Sequence, residues 1–264
     1  MIHHICRTLV ISALASLSLS AQEEGFVPLF DGKSLENWQA AKGNEKAKFG
    51  AFTVDEGEKA IHVYAGEENG SEKENDCLVS KKAFSHFVLK LEYKWGENRF
   101  APRPDWDRDA GLLFHVHGDL KKVWPDSLEM QIGESPGDKK NGQGNDGRFH
   151  VGDLFVLGES LRVDVRKKDG AYDPKAPLQT GTHVETRLGV EKPHGEWNEI
   201  EIRVDGAKKA TYLLNGEIVF EMENFVYKNE AGEVAALEKG HIGLQAEWAE
   251  IFYRNIVIKE LPSK

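Results

Sequence analysis

The octapeptide "SLEMQIGE" at residues 127–134 holds a carboxylate, Glu129, and an amide, Gln131, two positions apart. A carboxylate can take or give a proton, and an amide can hold a hydroxyl or a carbonyl. The same spacing recurs in two other runs. "GLLFHVH" puts His115 and His117 two apart, and "HIGLQAEW" sets His241, Gln245 and Glu247 at alternate positions. Together these residue types suit acid–base chemistry on a neutral polar molecule held through its hydroxyl groups. Trp95, Trp106, Trp124 and Trp248 adjoin the same stretches. Indoles stack on the apolar C–H faces of sugar rings, so a sugar is the ligand this mixture fits. Core packing is the expected role of at least two of the four.

Strands are the elements that would position these groups. Leu112, Phe114 and Val116 alternate with Gly111, Leu113, His115 and His117. Leu128, Met130 and Ile132 alternate with Glu129 and Gln131, and Ile242, Leu244 and Ala246 alternate with His241, Gly243, Gln245 and Glu247. A period of two is a strand with one face toward a core. Same-face neighbours lie roughly 7 Å apart along a strand and about 5 Å apart across strands, so three such strands would gather the polar set into a sugar-sized patch. The competing expectation is an ordinary solvent face. Such faces usually carry Thr, Lys, Ser or Arg, and "NEIEIRVD" at 198–205 reads that way.

Further alternating runs cover residues 87–95, 210–222 and 252–261, with Asn215-Gly216 as a hairpin turn. No helical period of useful length follows the first twenty residues. The expected fold class is all-β, a two-sheet β-sandwich or jelly roll. Residues 98–111 and 134–153 read as long loops, functional or solvated.

The chain has 264 residues, 40% of them hydrophobic, enough for a substantial core. Its net charge of -10 and lack of a basic stripe argue against nucleic acid or an anionic membrane as partner. Residues 8–20, "TLVISALASLSLS", form an apolar run of signal-peptide length, followed by small residues. Residues 1–21 are therefore expected to be a signal peptide and 22–264 one domain, periplasmic or secreted, with no membrane insertion after cleavage. Cys6 precedes the apolar run, where a lipid-bearing cysteine does not sit. The remaining cysteine, Cys77, reads as a packed residue.

Other motifs compete for the same residues. "EMQIGE" approaches Glu-x-Asp-x-x-Glu, which resembles retaining β-sandwich glycosidases with two carboxylates about 5 Å apart. Gln131 takes the middle position, and Glu134 falls on the opposite face unless Gly133 hosts a bulge. Two imidazoles on one strand face, from His115 and His117, would suit a metal, with His241 or Glu247 as a third ligand. "NDG" at 145–147 is a candidate calcium loop. No cofactor is firmly implied, and a divalent metal stays open.

Longer stretches resemble the bacterial 3-keto-disaccharide hydrolase family. "GFVPLFDGKSLENWQ" is similar to its opening, "DAGLLFHV" to its Asn-Ser-Gly-Ile-Phe strand, and "VWPDSLEMQI" to its Tyr-Pro-x-x-Glu-x-Gln strand. "VGDLF" resembles its Gly-Asp-Ile-Tyr element, "KPHGEWNEIEIRVDG" its central strands, and "GHIGLQAEWAEIFYRNIVIKEL" its C-terminal signature. The resemblance implies a concanavalin A-like jelly roll, export, and cleavage of sugars already oxidised at C3. It also implies an elimination route, with C2 proton abstraction, loss of the C1 substituent and addition of water. Carried over, Glu129, Glu247 and His115 are the candidate catalytic residues, with Glu129 as base. Gln131, Asp109, His117, Trp124, Asp153, His241, Gln245 and Trp248 are the candidate substrate-binding residues. Several positions depart from the family pattern. His115 stands where many members have Arg, Asp109 and Ala110 replace Asn and Ser, Phe155 replaces Tyr, and Trp248 replaces a small residue. A non-catalytic carbohydrate-binding module and a conventional retaining glycosidase remain the alternatives.

Overall fold

The computed structural model describes residues 24–43, 47–134, 150–186 and 189–263. The expected signal peptide, the "NDG" motif and most of the 134–153 loop lie outside the described residues. What is described is strand, turn and loop, paired antiparallel into two sheets.

The larger sheet has twelve strands. Its centre runs through Lys209–Leu214, Asn198–Asp205, His86–Arg99 and Ala249–Glu260, hydrogen-bonded in that order. Strand Asn198–Asp205 shows why the chain folds this way: Ile200, Ile202 and Val204 are buried, while Glu199 and Arg203 are exposed. Burying one such aliphatic side chain is worth about 1.5–3 kcal/mol. The hairpin to Glu217–Lys228 turns at Asn215 and Gly216, both with positive φ (50° and 85°), as a tight two-residue turn requires.

The second sheet has seven strands, ordered His183–Val184, Leu154–Leu157, Asp126–Gly133, Asp109–His117, Gly240–Ala246, Asp76–Phe84 and Trp38–Ala40. Leu112, Phe114, Leu128, Met130, Ile132, Ile242, Leu244 and Ala246 join Leu89, Leu91, Ile200, Ile202 and Tyr212 in one core between the sheets. The Phe114 and Tyr212 rings meet edge to face across it, 6.0 Å between centroids. This is a concanavalin A-like β-sandwich, as expected.

The outer face of the seven-stranded sheet is not an ordinary solvent face. In Asp126–Gly133 both faces are buried, including Ser127, Glu129 and Gln131. Part of that outer face is apolar: Cys77, Val79, Leu113 and Val116 pack together, with Ala41, Leu120 and Leu157 against them. Leu120 thereby draws the 118–125 segment across the sheet and brings Trp124 over its polar part.

Candidate active site

Strand register assembles the polar part. Gln245 pairs with Cys77 on one side, and the Leu244–Leu112 pairing sets Gln245 beside Gly111 on the other. Gly111 pairs with Gln131, Leu113 with Glu129, and Glu129 with Phe155. Just past the strand end, Glu247 bridges to Asp109. Five of the expected residues, Asp109, Glu129, Gln131, Gln245 and Glu247, therefore meet on one face, and all are buried. Gly111 lies at their centre. A β-carbon there would sit 2.1 Å from Gln245 Oε1 and 2.2 Å from Glu129 Oε1, so only glycine admits both.

Asp109 and Glu129 are both held toward their neutral forms. Burial, then Glu247 and Glu129, pushes the Asp109 carboxyl well above its ordinary range, and a side-chain hydrogen bond to Glu247 adds to the rise. A hydrogen bond between two carboxyl groups needs a proton between them. Gln131 Nε2 donates to Asp109 Oδ1, and also to the Ala110 carbonyl at 3.1 Å. Trp124 Nε1 donates to Glu247 Oε1 at 2.5 Å. Burial, then Glu247, raises Glu129 as well, while the neighbouring Gln245 amide pulls the other way. Three carboxyl groups this close, out of water, do not all ionise together. Such a set divides into proton donors and a proton acceptor.

One residue joins them that the sequence reading did not single out. Arg103 lies between two indoles, 4.4 Å from the Trp106 ring centre and 4.3 Å from that of Trp248, with Nη1 3.6 Å from Asp109 Oδ2. The expected 98–111 loop is shorter in the structure, spanning 100–108 between strands His86–Arg99 and Asp109–His117, and Arg103 lies within it. Its Pro-Arg-Pro setting gave no further signal. Trp248 is held by its own indole, which donates to the Lys73 carbonyl at 2.8 Å. Trp124 and Trp106 keep 47% and 41% of their surface exposed, so both edge the mouth of the site. Trp95 is a core residue, donating to Glu191 at 3.3 Å.

The histidines go elsewhere. A bulge between Phe114 and His117 breaks the alternation, with His115 at φ 51°. His115 turns between the sheets, where Nε2 donates to the Gly206 carbonyl at 3.0 Å and the ring packs on Phe225. Burial drives its pKa down to about 4, so it is a neutral core histidine. His117 Nδ1 donates to the His115 carbonyl at 2.9 Å, and its ring meets Tyr227 of the larger sheet. The expectation of two imidazoles on the ligand face is thus overturned by one extra residue in the strand. His241 lies beyond a second bulge, and its Nδ1 donates to the Ser80 carbonyl at 2.7 Å.

Asp153 adjoins the site through its backbone, whose carbonyl accepts from Gln131 N at 2.9 Å. Its fully buried carboxylate holds Thr186 N at 2.6 Å and His150 N at 2.9 Å, so it anchors that loop. Glu134 is clamped by Arg99 (2.8 Å) and Arg108 (2.6 Å), which removes it as the second carboxylate of a glycosidase pair. Cys77 is fully buried and its thiol is pushed well up, chiefly by burial, so it is a packed residue. Among the described residues no group of three or more His, Cys, Asp or Glu side chains is disposed to hold a metal ion.

Comparison with known proteins gives a family pattern and a fold. The sequence pattern of the 3-keto-alpha-glucoside-1,2-lyase-like domain matches residues 25–259. Two similar crystal structures are of candidate glycosyl hydrolases from Parabacteroides distasonis ATCC 8503. One is 20% identical with a TM-score of 0.55 over 90% of this chain and 95% of that one. The other is 23% identical with a TM-score of 0.50 over 89% and 99%. At these identities the likeness is one of fold. A search of curated proteins gives no match.

Proposed function

Because the chain belongs to the family of 3-keto-alpha-glucoside-1,2-lyase-like domains, we propose that it cleaves glycosides carrying a ketone at C3. The observation that carries this reading is the cluster of three buried carboxyl groups on one face, two of which, Asp109 and Glu129, are held above their ordinary range. We assign Glu129 as the base, its raised proton affinity suiting abstraction of a weakly acidic C–H proton once it is ionised, and the hydrogen-bonded Asp109–Glu247 pair as the acid. A C3 ketone acidifies the C2 proton, which Glu129 takes. The C–H electron pair forms the C2=C3 bond, and negative charge gathers on the C3 oxygen. The ketone then re-forms, the new double bond shifts to C1=C2, and the C1–O bond breaks. The leaving oxygen takes the proton held between Asp109 and Glu247. Water added across C1=C2 completes a net hydrolysis. Each step needs one base and one acid beside a neutral ring, which is what the site offers.

The acidic surface suits a neutral sugar, and residues 1–21 support export to the periplasm or beyond. The test is NMR of the purified protein with a 3-keto-disaccharide in deuterated water, with the unoxidised sugar as control. Cleavage of the keto sugar alone, with deuterium entering at C2, is the expected result. Glu129→Gln keeps the shape and removes the base, so turnover should fall at least about 100-fold while binding persists. Binding of both sugars without cleavage of either would reject the enzyme reading in favour of a carbohydrate-binding module.

A further inference from the structure

We propose that Asn75 and Gln245 form a paired amide cradle for the C3 ketone oxygen and for the enolate that develops on it. This rests on the reading of function above and adds the groups that would stabilise its intermediate. Asn75 is 5% exposed and Gln245 1%, and neither side chain makes a well-formed hydrogen bond, the Gln245 amide lying only in loose reach of the Glu129 carboxyl. They are the two amide side chains so left among the described residues. Buried polar groups are nearly always paired, so two whole amides left open need a reason. The other buried orphans differ: Arg99, Arg108, His115 and His194 are each paired through another nitrogen, and Tyr212 lies in the core.

Register places the two amides on one patch. Gln245 pairs with Cys77 and Ala246 with Asp76, so one further antiparallel step sets Asn75 opposite Glu247. Asn75 immediately precedes that strand, two residues from Cys77, and the alternation carried one step further would put it on the same face. Gln245 lies against Glu129 across Gly111. In the substrate C2 and C3 are adjacent, so the group that takes the C2 proton must neighbour the group that holds the C3 oxygen. Gln245 beside Glu129 meets that requirement.

Among the described residues the rest of the patch lacks free donors. Gln131 gives its N–H bonds to Asp109 and Ala110, and Trp124 gives its own to Glu247. Arg103 is stacked between two indoles and directed at Asp109. Carboxylate oxygens would repel an enolate oxygen. Neutral amide N–H groups stabilise it without adding a charge that would quench the base, as an oxyanion hole does.

The test replaces each amide with a side chain of similar size that cannot donate, Asn75→Leu and Gln245→Leu. An unpaired buried amide does nothing for the fold, so both variants should melt at or above the wild-type temperature. Turnover of a 3-keto-disaccharide should fall about 100-fold in each, and deuterium exchange at C2 should fall with it. If either leucine variant loses its cooperative melt, Asn75→Ala and Gln245→Ala carry the same comparison. Wild-type turnover and exchange in the variants would overturn the cradle and leave the lyase reading standing. A fall in melting temperature with turnover per folded molecule unchanged would overturn it too, by making the amides structural. A wild type that neither binds nor cleaves the keto sugar would overturn both readings together.

Discussion

At Gly111 the absence of a side chain decides whether the site exists. The strand there is regular, so the requirement is steric: a methyl group would lie 2.1 Å from Gln245 Oε1 and 2.2 Å from Glu129 Oε1. Both atoms end flexible side chains, so Gly111→Ala should fold, losing about 1 kcal/mol, and displace the base. A misplacement of about 1 Å costs on the order of 100-fold in rate. Thermal melts read beside kcat test this, and an alanine variant with wild-type kcat would refute the placement of Glu129. Glu129, Gln131, Gln245 and Glu247 were legible because alternation assigns a face to every second residue, and Asp109 through the family resemblance. Asn75 was not, since it lies in a loop just before its strand. Arg103 was not either, since no period governs the loop that stacks it between Trp106 and Trp248.

Among the elements, the central strands were legible and their irregularities were not. Residues 198–205 form the strand read from alternation, and 127–132 fall within Asp126–Gly133. Edge strands of two residues, such as Val27–Pro28 and His183–Val184, are too short to show a period. The bulge at His115, φ 51°, has no sequence mark, because no glycine or turn pair stands there and the flanking residues keep the strand period. The loop ends have their own chemistry. Arg99 ends one strand and Arg108 immediately precedes another, and Glu134, just beyond a third, holds both. Their side chains are 8%, 2% and 13% exposed, so Glu134→Ala leaves buried guanidinium charge unpaired and should cost about 3–5 kcal/mol in urea unfolding. Glu134→Gln should lie between, with turnover per folded molecule near wild type. Loss of turnover in a folded Glu134→Gln protein would restore the two-carboxylate glycosidase route.

Across the whole molecule, His115 ties the sheets together and makes stability depend on pH. Its bond to the Gly206 carbonyl runs from the site sheet to the turn between two strands of the larger one. Folded, the imidazole resists protonation down to about pH 4 because it is buried. Unfolded, it takes a proton near 6.5. The unfolded state therefore binds more protons between those values, and stability falls as pH drops through the window, by about 3 kcal/mol in total. Asp109 and Glu129 act in the opposite sense. Their folded values are raised, so the folded state takes up their protons first and stability rises as pH falls toward the ordinary carboxylate range. The measured profile is the difference of the two, and one substitution separates them. Asparagine tolerates positive φ and does not titrate, so His115→Asn should lower stability at neutral pH through lost packing. It should also remove the acid decline, leaving a curve that rises from pH 6.5 to 4 under the carboxyl groups alone. Urea unfolding at half-unit pH steps resolves the two curves, and parallel profiles for wild type and variant would show that His115 is not the buried neutral group described.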